Sequence, residues 1–201
     1  MKMLSIFLLS FFILLSYNKM YSRQISGDTT KSKTVEQKKV KPEDKFKEEV
    51  PEKLKYFKEK YEANFDAPFE IVFKAIKKSI TDINCMISKQ SYSQNENGLY
   101  KGIVRSDACL FTEGSDSSFT VLGKYSINMP IIRGGDWVNG RMMYKFTITE
   151  LENGKVYLLL KGDLSGYEKY ATNLVHFWDS NGYLETMMMD RVANNVKELS
   201  K

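Results

Sequence analysis

Two stripes of large apolar residues, each spaced for one face of an α-helix, bracket a series of alternating segments. No other feature of the chain restricts its fold as much. The first stripe is Phe69, Val72, Phe73, Ile76, Ile80 and Ile83, with Lys74, Lys77 and Lys78 on the opposite side. Asp66-Ala67-Pro68 ahead of it offers a capping side chain and a proline for the first turn. The second stripe is Leu184, Met188, Val192, Val196 and Leu199, in a helix expected over about 181–199 and capped by Ser180 or Asn181. Between the stripes, Met142, Tyr144, Phe146 and Ile148 alternate with Arg141, Lys145, Thr147 and Thr149. That is the pattern of a strand with one buried and one wet face. Residues 85–92 and 99–111 flank a hairpin turn at 95–98, residues 119–127 alternate more loosely, and 156–164 follow the turn Glu152-Asn153-Gly154. Strands joined by hairpins, with helices at both ends, predict an α+β fold. The expected form is an antiparallel curved sheet of about five to six strands, packed by an N-proximal helix and a long C-terminal helix.

The chain ahead of this domain has a different character. Lys2 precedes an unbroken apolar run over 4–16, and thirteen helical residues rise only about 20 Å against a hydrocarbon core of roughly 30 Å. A charged start and a short apolar core predict a secretory signal peptide over 1–22. Met20, where a small residue is preferred before cleavage, leaves an uncleaved signal anchor as the alternative. Residues 23–60 are crowded with Lys, Glu, Ser and Thr and hold too few apolar side chains to offset ordering, so they read as a charged flexible stalk. Within 51–62, Pro51, Leu54, Phe57 and Tyr61 suit a short helix. The single α+β domain is then 61–201. The net charge of +5 belongs to the leader and stalk: residues 1–62 hold 14 Lys and Arg against 9 Asp and Glu, and residues 63–201 hold 16 of each. A domain of zero net charge lacks the electrostatic footprint of a nucleic-acid binder. Membrane contact is expected only through the leader or the basic stalk.

The run Ala67-Pro68-Phe69-Glu70-Ile71-Val72-Phe73-Lys74-Ala75-Ile76, followed by a strand and by Asn97-Gly98-Leu99-Tyr100-Lys101-Gly102, resembles the opening helix and first hairpin of helix-grip and TATA-box-binding-protein-like small domains of bacterial envelope proteins. The resemblance covers roughly 62–199. It implies a domain for binding or assembly and brings no catalytic residues with it.

Two cysteines in an exported chain raise the question of a disulfide. If Glu96, Asn97 and Gly98 form a three-residue loop, Asn95 pairs with Leu99 and every rung of the hairpin sums to 194, which sets Cys85 opposite Cys109. Opposed Cα atoms lie about 4.5 or 5.5 Å apart, within reach of a bridge. The difficulty is that Lys89, Arg105 and Asp107 share that face, which is not how a core face reads. The alternative is two buried thiols. One histidine and no CxxC spacing give no metal site, and no Gly-rich phosphate loop or cofactor motif is present.

His176, Asp179 and Ser180 suggest a hydrolase by residue type. Triads assemble from distant segments, however, and Asp179 and Ser180 also suit the start of the last helix. Trp137, in the glycine-rich loop that includes Gly134, Gly135 and Asp136, is a candidate contact anchor or a cap on the core edge. Tyr167, Tyr170, Phe177 and Trp178 can line a contact surface or ligand pocket, or seal the sheet's open end. The reading that follows is an exported, non-enzymatic interaction module whose partner is an unknown protein or envelope component. The alternatives are a carrier holding an apolar ligand between sheet and C-terminal helix and, behind it, a hydrolase centred on His176.

Overall fold

In the computed structural model, which describes residues 52–201, the fold is α+β: seven strands in one antiparallel sheet with three helices. The leader and most of the stalk lie outside the described residues. The sheet is built on one long hairpin, β5 (Trp137–Glu150) and β6 (Val156–Glu168), aligned from Glu150 opposite Val156 to Trp137 opposite Glu168. Every other strand is shorter, so each side of the hairpin is flanked by two. On the β5 side, β3 (Tyr100–Ser106) pairs with residues 145–149 and β4 (Cys109–Glu113) with residues 139–142. On the β6 side, β1 (Tyr61–Phe65) pairs with residues 156–160 and β7 (Leu174–Trp178) with residues 164–168. Strand β2 (Ile87–Gln94) completes the β3 edge.

Both expected helices form and cover one face of this sheet. Helix α1 (Phe69–Thr81) buries Phe69, Val72, Phe73, Ile76 and Ile80, and α3 (Tyr183–Leu199) buries Met188, Val192 and Val196. Beneath them lie Met142, Tyr144, Phe146, Ile148, Leu158 and Leu160, the inward half of the alternation. The helices are also joined by a polar contact. The buried Asn195 amide donates to Ser79 Oγ (2.8 Å) and Asp82 Oδ2 (3.1 Å), and its carbonyl accepts from Lys78 Nζ (2.9 Å). An amide whose donors and acceptor are all used tolerates burial and fixes the relative rotation of the two helices.

The β2–β3 hairpin follows the counted register from Gln94 opposite Tyr100 to Lys89 opposite Arg105. Gly98 holds φ +77° in its turn, a conformation that side-chain-bearing residues rarely adopt. Below Lys89 a bulge at Ser88 puts Ile87 opposite Ser106, and the Ser88 hydroxyl donates to the Ser106 carbonyl (2.8 Å). The expected single strand over 99–111 is also broken, at Asp107 and Ala108. There the Ser106 hydroxyl replaces a strand partner by accepting the Tyr144 N–H (2.9 Å). These two irregularities each reverse the in–out parity. They turn Cys85 and Cys109 inward although Lys89 and Arg105 point out, and the two cysteines form a disulfide with Cα atoms 5.3 Å apart. Such a bond is consistent with an oxidising compartment.

Two local expectations are corrected. Residues 119–127 are not a strand: α2 (Phe119–Gly123) is a single helical turn, with Ser118 Oγ accepting the Val121 N–H (3.3 Å), and Ser126 makes only an isolated bridge, to Ser180 beyond the end of β7. Its buried residue is Leu122, not the alternating Phe119 and Val121. Of the helix expected over 51–62, the described residues 52–62 do not form one: a 3-10 turn at Glu52–Leu54 is followed by strand β1. Within 52–60, which the sequence reading gave to the stalk, Tyr56 packs edge-on against Tyr183 at 5.1 Å.

The bridge closes a 24-residue separation between the end of α1 and the start of β4. Replacing both cysteines with serine should lower stability by about 2–4 kcal/mol in urea unfolding. The unreduced native protein should take up no thiol label, and labelling at two sites would contradict the pairing.

Candidate functional site

The end of β6 is organised by a buried carboxylate. Glu168 is fully buried, and its oxygens accept the backbone N–H groups of Asp136 (3.2 Å), Tyr170 (3.0 Å), Ala171 (3.0 Å) and Thr172 (2.6 Å), together with the Thr172 hydroxyl (2.6 Å). Burial works to raise its pKa. The bonds from Thr172, Ala171 and Asp136 outweigh that and hold the carboxyl down at about 2. One charged group therefore folds the 169–173 turn around itself and ties it to the loop leading into β5. Thr172 Oγ1 also lies 2.7 Å from His176 Nε2. The hydroxyl has one proton and gives it to the carboxylate, so the imidazole is the donor in that contact.

His176 stands edge-on to Trp137 (5.7 Å), which is itself edge-on to Trp178 (5.2 Å), whose indole N–H donates to Ser126 Oγ (2.5 Å). Trp137 and Trp178 are 6 % and 8 % exposed. They are wedged over the end of the sheet, the edge-capping position that stood as the alternative to a contact role for each. Tyr167 is half-buried and bonded through its hydroxyl to Asn173, whereas Tyr170 and Phe177 are 70 % and 65 % exposed. The sequence-adjacent triad does not assemble. Asp179 accepts from Asn128 Nδ2 (2.6 Å), Ser180 donates to Glu185 Oε2 (2.8 Å), and His176 is turned to Thr172 instead.

Strand β7, which the sequence reading did not separate out, carries the exposed apolar side chains. Leu174 and Val175 are 59 % and 42 % exposed beside Phe177. Its inner edge pairs with β6, and among the described residues no strand pairs its outer edge. The other edge strands are blunted: β1 contains Glu62, β2 contains Lys89 within a run of exposed polar residues, and β4 ends at Glu113. Among the described strands, only β7 combines an outer edge without a strand partner, no Asp, Glu, Lys or Arg, and large exposed apolar side chains. The signal for it was the short apolar and aromatic run Leu174-Val175-His176-Phe177-Trp178.

Beside β7 the sheet has a gap. Strand β1 reaches Leu160 of β6 and β7 begins at Leu164, leaving Lys161, Gly162 and Asp163 without a strand partner on that edge. A groove of about 610 Å³ opens there, with Phe57, Tyr61, Asp163, Phe177 and Asp179 on its walls. Glu185 of α3 reaches its floor over Gly162, where an added Cβ would come within 2.8 Å of the carboxylate. Burial raises the Glu185 pKa, against the opposing effect of the Ser180 bond. The groove is open and mixed in polarity.

No known protein family matches the sequence, and no curated protein or solved structure matches the chain.

The depressed pKa of Glu168 gives a signed pH dependence. Its contribution to stability is complete above the ordinary carboxyl value of 4.5 and is lost as the pH falls from there to about 2. The denaturation midpoint of the native protein should therefore drop across that window. Glu168→Gln, which sets an N–H donor against backbone N–H groups, should be less stable at neutral pH and show a flatter acid response in the same measurement.

Proposed function

We propose that the protein is an exported, non-enzymatic interaction module that docks an extended polypeptide along the outer edge of β7. One observation carries this reading. Over Leu174–Trp178 no described strand pairs the outer edge of β7, up to Asp179, which is bonded to Ile127 and Asn128. The strand exposes Leu174, Val175 and Phe177 and has no Asp, Glu, Lys or Arg, whereas the other described edge strands each carry one. Strand addition supplies main-chain hydrogen bonds along such an edge and lets alternate side chains set specificity. The apolar leader and the disulfide support export, and the helix-grip resemblance points to binding rather than catalysis. The Glu168 hub holds the turn ahead of β7 rigid, which lowers the ordering cost of docking.

The carrier alternative would need an enclosed apolar space between sheet and α3, and that region is filled by Met142, Tyr144, Met188 and Val192, all buried. The hydrolase alternative would need a free nucleophile at His176. Its hydroxyl neighbour, Thr172, is already bonded to Glu168.

A photo-crosslinking side chain placed at Phe177 in the exported protein tests the reading. An adduct of defined mass should form there, disappear when Val175→Lys is added, and be absent when the probe replaces Glu62 on β1. Equal labelling from both edges, or none from Phe177, would count decisively against docking on β7.

A further inference from the structure

The groove at the gap between β1 and β7 holds a buried carboxylate that is short of donors. Glu185 is 3 % exposed and reaches the groove floor, with its Oε1 over Gly162 and its Oε2 accepting the Ser180 hydroxyl (2.8 Å). Among the described residues, that hydroxyl is the only side-chain donor to this carboxylate. Glu168 shows what full satisfaction requires. It is also buried, but four backbone N–H groups and one hydroxyl converge on it and hold its pKa down at about 2. At Glu185 burial prevails, and the pKa is raised. A carboxylate removed from water with acceptor capacity unused is costly, and a donor entering the groove offsets that cost.

We infer that the groove binds an organic ammonium, a primary amine on an apolar stem such as a small alkylamine or a lysine side chain presents. Charge complementarity names this occupant. Asp163 and Asp179 line the groove with Glu185, and no Lys, Arg or His does. Among the described residues, none of these three carboxylates is in an ion pair. Asp163 is exposed, and Asp179 accepts from the neutral Asn128 amide (2.6 Å). An anion would be repelled by all three, and a neutral ligand would leave them uncompensated. Much of the remaining wall is aromatic: Phe57, Tyr61, Phe177 and Trp178. Such rings pack along a hydrocarbon stem and attract its cationic head. Phe57 and Phe177 are 48 % and 65 % exposed, so that surface is open to a ligand. The volume of about 610 Å³ suits a small group, for which roughly 300–1,000 Å³ is usual. A metal ion does not suit the same place. Among the described residues, no three Asp, Glu, His or Cys side chains are set to hold one.

The site does not depend on docking along β7, and the two can be tested apart. In the full exported chain, backbone amide NMR signals are followed at neutral pH while n-pentylamine, 1-pentanol or pentanoate is added. Pentylammonium should shift the Gly162, Asp163 and Ser180 signals saturably, with a Kd of about a millimolar. The alcohol and the anion should bind about tenfold more weakly, or not at all. Glu185→Gln, which keeps an acceptor for Ser180, should raise the Kd about tenfold. Asp163→Asn, at an exposed side chain, should raise it about two- to threefold. Val175→Lys, outside the groove lining, should change it less than about twofold while abolishing the Phe177 adduct. N-acetyl-lysine methylamide distinguishes the sources: binding as tight as that of pentylamine identifies a polypeptide lysine, and weaker binding identifies a free amine. Pentanol that binds as tightly as pentylamine, or a Kd unmoved by both carboxylate substitutions, would overturn the inference.

Discussion

The β5–β6 hairpin is the constraint from which the rest of the structure follows. Its strands run 14 and 13 residues, at about 3.3 Å per residue, and no other strand exceeds 8. A short strand cannot cover a long one, so each side of the hairpin is matched by two strands in tandem, and each side has a junction where pairing lapses. Backbone groups at such a junction must find other partners or face water. On the β5 side the Ser106 hydroxyl fills the break by accepting the Tyr144 N–H, and the core closes over it. On the β6 side Lys161, Gly162 and Asp163 stay open, and the groove forms there. The same mismatch in strand length therefore gives a sealed seam on one flank and an accessible depression on the other.

The second constraint is electrostatic. A carboxylate removed from water is costly unless it is fully hydrogen-bonded. Glu168 meets that condition with four backbone amides and one hydroxyl drawn from two separate loops. Those donors would otherwise be loose ends of an irregular turn. The charge and the turn thus stabilise each other, and the direction in which the chain returns as β7 is fixed by that exchange. Trp137 packs against the returning strand through the rings of His176 and Trp178. Leu174, Val175 and Phe177 are left outside by the same geometry.

Local signals were legible where local physics decides the outcome. The apolar stripes of α1 and α3 matched the helical period and met a common sheet face, as their spacing implied. Turn chemistry at Asn95 to Gly98 fixed six rungs of a hairpin and brought the cysteines to the correct neighbourhood. The apparent conflict between the cysteines and the charged residues on their face came from assuming an unbroken ladder, and bulges are poorly written in sequence. The strand expected over 119–127 failed for a related reason. Its alternation was real, but a Ser118 cap and a single helical turn satisfied the backbone locally, and Leu122 rather than its neighbours found the core.

From its sequence alone, this chain determined an α+β class, two helices on one side of an antiparallel sheet, and a stretch of zero net charge over 63–201 behind a net-basic stretch over 1–62. These follow from periodicity and composition, which act over a few residues at a time. Tertiary structure alone decided which aromatic residues face water. Trp137 and Phe177 are equally apolar in sequence, yet one is wedged beside Trp178 and the other is 65 % exposed. Part of the cause is long-range: Glu168 closes its own turn locally, but its bond from the Asp136 N–H and the packing of Trp137 on His176 and Trp178 join segments 32 or more residues apart. No window of neighbouring residues contains that information.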